Sequence, residues 1–215
     1  MGYTLQHFPL ILLAGGQSSR MGTPKGLLDY QGRPWLLEQL GRFKAACGTR
    51  AIVVLGFHSE QYFEKIPWLR AAGEEPDHHL GLEVSVVVNE APGFGPFSSL
   101  KGAIAFLEQD DCPGAFVLPI DVPGPGREVY EELAGVFGES FDALIPRFQS
   151  KGGHPVLLSR NFLNRLAMVS LTSVEARLDL QIRALPKERI ASVTVYDRNV
   201  GLNMNSPEDF RNYNK

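Results

Sequence analysis

The sequence predicts an α/β fold with a mostly parallel, twisted sheet. Short apolar runs of strand length alternate with segments of helical periodicity, so a helical crossover is expected after each strand. The 215 residues are enough for one substantial domain, and 44% hydrophobic and 21% charged residues are typical of a globular protein. We therefore expect a single domain over residues 1–215 that binds its ligands outside the carboxyl ends of the strands.

The expected elements follow one another along the chain. The apolar run at residues 9–13 predicts a buried first strand, which is too short to span a membrane. Leucines at helical spacing predict a helix from Pro34, a residue favoured in the first helical turn, to about residue 46. The same criteria place further strands at 51–55, 83–88, 115–118, 143–146 and 154–158, and helices at 59–72 with a break at Pro67, 98–108, 127–137 and 161–168. Residues 170–185 are typical of one or two short helices.

Charge and cysteine usage exclude several classes of protein. A net charge of −3 and a pI near 6.0 argue against a nucleic-acid-binding protein, which is usually basic. Cys47 and Cys112 are isolated thiols without metal-ligand spacing, and a reducing cytoplasm suits them. Residues 1–7 lack the basic segment of a signal peptide, and no run is long enough for a transmembrane helix. We expect a cytoplasmic protein that contacts neither nucleic acid nor membrane.

The loop after the first strand is the strongest functional signal. It reads AGGQSSRMGTPK, so small residues that allow close backbone approach precede two cations, Arg20 and Lys25. Backbone N–H groups and two cations favour a polyphosphate ligand. The loop fits neither the P-loop nor the G-x-G-x-x-G pattern. The alternative interpretation is a surface turn with solvated cations.

A carboxylate follows the fourth predicted strand. Asp121 stands between two prolines in LPIDVP, which fixes it at the end of a buried strand. Mg²⁺ prefers hard oxygen ligands and takes one or two protein carboxylates together with substrate phosphates. Asp121 is therefore a candidate metal ligand, and the alternative is a helix N-cap or an Asx turn.

The segment LAGGQSSRMGTPKGLL resembles the opening loop of the MobA-like nucleotidyltransferases. These proteins transfer a nucleoside monophosphate from an NTP to a phosphorylated acceptor and release pyrophosphate. The resemblance implies a three-layer α/β/α, Rossmann-like fold of the nucleotide-diphospho-sugar transferase type. This loop alone does not separate the family from relatives that activate sugar phosphates or methylerythritol phosphate.

The resemblance also implies site residues. It assigns catalysis to Arg20, Lys25 and Asp121, and it assigns Mg²⁺ binding to Asp121 and Asn205. The nucleotide-binding residues it implies are Leu13, Ala14, Gly15, Gly16, Ser18, Ser19, Arg20, Lys25, Asn89, Gly95, Ser98, Ser99 and Leu100. An ordinary connection between strand and helix remains the alternative for residues 89–100.

The segment GLNMNSPEDF near the C-terminus resembles the N-x-N-T-P-E-D segment of the family, with serine for threonine. Alternation at a strand end would place Asn203 and Asn205 on one face, with Asn203 supporting Asn205. Ser206 and Asp209 fit a capping box with Pro207 as the first helical residue. Turn chemistry is the alternative for the two asparagines.

The segment GGHPV resembles one found in the cytidylyl-transferring branch, where it lies on the acceptor side of the cleft. His154 is therefore expected to orient this loop or touch the acceptor, and Asn203 is also expected on the acceptor side. A general base is not needed, because a phosphate nucleophile is already ionised near pH 7. His58, His78 and His79 lie in polar stretches and are expected to be solvated.

The nucleobase and the acceptor stay open at this stage. Gly16 and the Gly95-Pro96 pair resemble guanylyl-transferring members, whereas FSSL and GHPV resemble cytidylyl-transferring ones. The interpretation we favour has GTP rather than CTP as the nucleotide substrate and molybdopterin as the acceptor. It also includes a transient contact with a molybdoenzyme. The alternatives are a nucleotidyltransferase for a sugar phosphate or other small phosphorylated alcohol, and a nucleotide-binding module without turnover. A glycosyltransferase would need a D-x-D motif, which Ile120-Asp121-Val122 does not supply.

Overall fold

The computed structural model describes residues 2–19 and 21–215. The strands are β1 Leu10–Leu13, β2 Asp29–Tyr30, β3 Arg33–Pro34, β4 Arg50–Leu55, β5 Asp77–His79, β6 Leu82–Val88, β7 Gly114–Pro119, β8 Ala143–Phe148, β9 Lys151–Gly152, β10 Val156–Ser159 and β11 Ile190–Thr194. The α-helices are α1 Trp35–Ala45, α2 Ser59–Lys65, α3 Trp68–Ala71, α4 Pro96–Phe106, α5 Arg127–Val136, α6 Arg160–Ala167, α7 Leu178–Arg183 and α8 Pro207–Tyr213.

One mixed sheet forms the middle layer. Across the described part of the chain its strand order is β11-β8-β10-β7-β1-β4-β6-β5, and β9 pairs with β8. The central strands β7, β1, β4 and β6 run parallel to one another, and β11 runs parallel to β8. Strand β10 is antiparallel to both of its neighbours, and β5 is antiparallel to β6. The expectation of a mostly parallel sheet is confirmed.

Helices cover both faces of this sheet and bury two hydrophobic clusters. Leu10 and Leu12 of β1 point to one face, where α1 and α5 pack, and Ile11 points to the other, where α4 and α6 pack. All three side chains are fully buried. Central strands that are buried on both faces consist of continuous apolar runs, and for this reason they could be predicted from the sequence. The three-layer α/β/α architecture is confirmed.

Several local expectations are corrected. A helical crossover does not follow every strand, because β8 returns to β10 through residues 149–155 and pairs with it in the antiparallel sense. His78 and His79 lie in edge strand β5; His78 is exposed as expected, whereas the half-buried His79 ring stacks on Trp68 at 3.9 Å between centroids. The short strands β2, β3, β5, β9 and β11 were not predicted from the sequence.

The segment before α8 also differs from the expectation. Residues 202–205 have no strand structure, so strand alternation does not orient Asn203 and Asn205. The expected capping box is confirmed, since Ser206 and Asp209 each accept the other's backbone N–H and Pro207 is the first helical residue. Among the described residues, no helix has both the length and the apolar character that crossing a membrane requires.

Candidate active site

A cavity of about 620 Å³ opens at the carboxyl ends of the central strands. The residues that line it come from the loops after β1, β4, β6 and β7 and from the segment before α8. They are Leu13, Gly15, Gly16, Gln17, Ser18, Ser19, Met21, Lys25, Phe57, Pro92, Gly95, Pro96, Ser99, Pro119, Ile120, Asp121, Asn203 and Asn205. Ligands of open α/β sheets bind at this edge, so the cavity stands where the fold predicts a site.

Lys25 joins two polar groups that are far away in the sequence. Its Nζ lies 3.1 Å from Oδ2 of Asp121 and 3.2 Å from Oδ1 of Asn205. The Lys25 and Asp121 side chains are 17% and 25% exposed, so the ion pair is only partly solvated. Three of the residues expected to do chemistry therefore meet at one point of the cavity.

Backbone hydrogen bonds fix each member of this group. The Lys25 N–H donates to Oγ of Ser18 at 3.0 Å, which folds the loop over its own lysine. The Met204 N–H donates to the Asp121 carbonyl at 2.8 Å and ties the two segments together. The Asn205 N–H donates to Oδ2 of Asp209 at 3.1 Å, so the cap of α8 also holds the asparagine.

Glycines allow the loops after β1 and β4 to touch. A Cβ on Gly15 would lie 2.9 Å from Oγ of Ser99 and 3.2 Å from the backbone nitrogen of Gly56. A Cβ on Gly56 would lie 2.8 Å from the Gly15 carbonyl oxygen. The Phe57 N–H donates to that same carbonyl at 3.2 Å. This close approach brings Phe57 and Ser99 to the cavity wall.

Asn89 supports the wall from behind. Its amide donates to Oγ of Ser98 at 2.8 Å and to Oγ of Ser99 at 3.0 Å, and its Oδ1 accepts the Ala91 N–H at 2.9 Å. Asn89 and Ser98 are buried and do not line the cavity, and Leu100 is part of the hydrophobic core. Ala14 is also buried away from the cavity.

His154 is partly buried and is not among the residues that line the cavity. Its Nδ1 lies 3.4 Å from the Val117 carbonyl oxygen, which can only accept a hydrogen bond. Burial lowers the pKa of His154 below its usual value and favours the neutral ring. The structure places this histidine against the backbone of β7, which suits orientation of its loop.

Arg20, the second cation expected from the sequence, lies outside the described residues. Lys25 is the cation that the described residues place in the cavity lining, beside Asp121 and Asn205.

Sequence reasoning missed several cavity residues, above all Phe57, Pro92 and Ile120. Phe57 comes two residues after the end of β4. The rule that ligands bind beyond the carboxyl ends of parallel strands would have selected it, since β4 is a neighbour of β1.

The described residues contain no group of three or more His, Cys, Asp or Glu side chains that could hold a metal ion by themselves. Asp121 and Asn205 nevertheless offer two hard oxygen atoms that share one cation, the Lys25 ammonium. A carboxylate and an amide oxygen fit an ion that takes its other ligands from water and phosphate.

Comparison with known proteins assigns the chain to a family. The sequence model of the MobA-like NTP transferase domain matches residues 10–184, which covers most of the chain and includes the loop after β1 and Asp121. The chain belongs to the MobA-like NTP transferase family.

Individual relatives agree with this membership. A probable molybdenum cofactor guanylyltransferase of Rhodopirellula baltica is 28% identical over 114 residues, which are 53% of this chain and 47% of that protein. The chain thus spans about half the length of this curated relative.

Solved structures share the fold of this MobA-like chain. The Rv0371c homologue of Mycobacterium sp. strain JC1 superposes with a TM-score of 0.74 at 22% identity and covers 97% of this chain and 96% of its own. Rv0371c of Mycobacterium tuberculosis in complex with manganese superposes with a TM-score of 0.69 at 20% identity. The match covers 95% of this chain and 96% of that one.

Proposed function

We propose that this chain is a Mg²⁺-dependent nucleotidyltransferase that moves a nucleoside monophosphate from an NTP to a phosphorylated acceptor and releases pyrophosphate. The observation that carries the proposal is the meeting of Lys25, Asp121 and Asn205 in the cavity at the carboxyl ends of the strands. The family membership supports the same chemistry.

Asp121 and Asn205 would hold the metal ion. A bound Mg²⁺ would neutralise charge on the phosphates and orient them for in-line displacement. Lys25 now contacts one oxygen of each of these two residues, and it would exchange these contacts for phosphate oxygens when the substrate binds. Rv0371c, which shares this fold, was solved in complex with manganese, and this supports a divalent metal ion as cofactor.

The chain's own residues position and stabilise the reacting groups. Gly15 and Gly16 line the cavity, where their backbone N–H groups would bind phosphate oxygens, and Lys25 would neutralise charge as it develops. The reaction then depends on positioning and electrostatics, because an ionised phosphate nucleophile needs no base. A neutral His154 beside β7 is consistent with this mechanism.

For the substrates we propose GTP ahead of CTP, with molybdopterin as the acceptor. The curated relatives are named as molybdenum cofactor guanylyltransferases, and this supports both choices. Handing the product to a molybdoenzyme would involve a transient protein contact.

A nucleotide panel tests the proposal. We expect one of ATP, CTP, GTP and UTP to raise the melting temperature more than the others, and only with Mg²⁺ present. Stabilisation by GTP would support the guanylyl assignment, and stabilisation by CTP would move it to cytidylyl transfer. Stabilisation by UTP would favour a sugar-phosphate acceptor, and binding of no NTP would contradict the proposal.

A binding module without turnover is the candidate from another class. It would show the same Mg²⁺-dependent stabilisation but would release no pyrophosphate when the acceptor is added. The presence of Lys25, Asp121 and Asn205 together, in contact with one another, favours a working enzyme over such a module.

We further propose that residues 1–215 form one domain and that it works in the cytoplasm. The central nine-stranded sheet of the described residues, with helices on both faces, supports one domain. The free thiols of Cys47 and Cys112 suit a reducing compartment.

A further inference from the structure

The loop that carries Lys25 rests on a tyrosine that lies outside the cavity lining. Tyr62 belongs to helix α2, and its side chain is 1% exposed among core residues. Its hydroxyl oxygen accepts the backbone N–H of Gly26 at 3.1 Å. Gly26 follows Lys25 directly, so Tyr62 holds the backbone one residue away from the cation.

The contact is specific to the pair of residues. A Cβ on Gly26 would lie 2.8 Å from the Tyr62 hydroxyl oxygen and 2.8 Å from its ring carbon Cε1. Glycine alone leaves room for the ring to reach the backbone here. Tyrosine is required in turn for the hydrogen bond, because phenylalanine would leave the buried Gly26 N–H without an acceptor.

Two consecutive N–H groups are thereby clamped from two different elements. The Lys25 N–H donates to Ser18 of the same loop, and the Gly26 N–H donates to Tyr62 of α2. The Lys25 side chain leaves the backbone between these anchors and reaches Asp121 and Asn205. Because errors of about 1 Å in a positioned group can cost a large factor in rate, this clamp matters for the chemistry of Lys25.

We propose that Tyr62 is a positioning residue that sets the place of the Lys25 ammonium in the nucleotide site. This role rests on the nucleotidyltransferase function proposed above. Tyr62 contacts the loop backbone and acts only through Lys25.

The variant Tyr62→Phe keeps the ring and removes only the hydroxyl. We expect it to lower kcat/KM for the NTP about tenfold and to raise KM, because a displaced Lys25 binds phosphate less well. Simple loss of folded protein would lower the maximal rate and leave KM unchanged. Tyr130→Phe is the matched control, since the buried Tyr130 hydroxyl has no hydrogen-bond partner among the described residues.

A double-mutant cycle separates positioning from general stability. In the Lys25→Ala background the change Tyr62→Phe should cost less than about twofold, because the group that Tyr62 positions is gone. An equal tenfold loss in both backgrounds, or no loss in either, would overturn the proposal. Gly26→Ala gives a second route, because its Cβ would push the same contact apart and should reproduce the effect of Tyr62→Phe.

Amide hydrogen exchange at Gly26 gives a readout that does not depend on turnover. Tyr62→Phe should accelerate this exchange at least about tenfold, whereas Tyr130→Phe should not change it. If the wild-type chain releases no pyrophosphate with any NTP, the proposed function fails by itself. Unchanged exchange at Gly26 would instead show that Tyr62 does not hold the loop.

Discussion

Lys25 and Asp121 form an ion pair that is open to the cavity on one side. Each side chain keeps some exposure, and Asn205 supplies a neutral oxygen next to the pair. An ion pair that keeps contact with solvent contributes little to folding, and the position of this pair in the cavity favours a role in ligand binding. The three side chains come from loops whose positions are fixed by backbone hydrogen bonds to Ser18, Met204 and Asp209.

Removal of either charge should therefore stop turnover without unfolding the chain. We expect Lys25→Ala and Asp121→Ala each to lower kcat by at least about 100-fold, the effect of losing one group that stabilises developing charge. Steady-state pyrophosphate release measures the rate, and thermal melting checks the fold.

Exposed residues of the same type supply the controls. Lys65 at the end of α2 and Asp111 before the start of β7 are exposed and do not line the cavity, so Lys65→Ala and Asp111→Ala should keep wild-type turnover. Near-normal turnover in Lys25→Ala or Asp121→Ala would show that these residues do not act on the substrate.

The loops after β1 and β4 behave as one element because their glycines are in contact. The Gly15 carbonyl accepts the Phe57 N–H, and the space for a Cβ on Gly15 is filled by Ser99 and the backbone of Gly56. Gly16, the next residue, has nothing within 4 Å of its Cβ position. Two adjacent glycines thus differ sharply in what a methyl group would meet.

This difference predicts opposite outcomes for two alanine substitutions. Gly15→Ala should lower the free energy of unfolding by about 1–3 kcal/mol, because the Ser99 hydroxyl and the backbone at Gly56 must move to make room. Gly16→Ala should change it by less than about 0.5 kcal/mol. Chemical denaturation of both variants measures the effect, and equal stability of the two would contradict the packing described for Gly15.

The central strands of the sheet were predicted from the sequence, whereas the strands at its edges were not. Strands β1, β4, β6 and β7 were legible because strands buried on both faces are apolar throughout. An apolar run does not show in which direction its strand runs, and the antiparallel pairing of β10 was therefore not predicted. The short interval at residues 149–155 could have indicated this pairing, since a crossover between parallel strands needs a dozen or more residues.

The site was predictable only where a residue's place follows from its strand. Asp121 and the Gly15 loop extend directly from β7 and β1, so their meeting followed from the parallel sheet. The buried position of Asn89 depends on contacts with Ser98 and Ser99 that no spacing rule specifies. Tyr62 has no signal either, because a buried aromatic residue on a helix reads as ordinary core.

At the scale of the whole molecule, a charged cluster around Asp142 connects strands β10, β8 and β11, which lie beyond β7 in the sheet. Asp142 precedes β8, and its side chain is 1% exposed. It accepts hydrogen bonds from Arg189 before β11, from Arg165 of α6 and from Ser159 of β10. The Arg189 hydrogen bond is the main cause that lowers the pKa of Asp142 to about 2.

The lowered pKa predicts how stability depends on pH. Because the folded-state pKa of Asp142 lies below its value of 3.8 in an unfolded chain, the carboxylate stabilises the fold above about pH 4. This contribution of roughly 2 kcal/mol is lost as the pH falls from about 4 to about 2.

Asp142→Asn tests this prediction. The variant should be less stable than wild type at pH 7, and the difference should shrink as the pH falls through that window. Urea unfolding at several pH values measures it. Asp179→Asn breaks an exposed ion pair with Arg177 and should leave stability nearly unchanged. A stability gap for Asp142→Asn that does not depend on pH would contradict the assignment.

The most direct test of the central claim is pyrophosphate release by the wild-type chain. The assay combines Mg²⁺, each NTP in turn and molybdopterin, with the Lys25→Ala chain measured beside it. We predict release with one preferred NTP, dependent on both Mg²⁺ and acceptor, and a fall of at least about 100-fold in the variant. Nucleotide binding without any release of pyrophosphate, or equal rates for both chains, would contradict the assignment of this cavity as a nucleotidyl-transfer site.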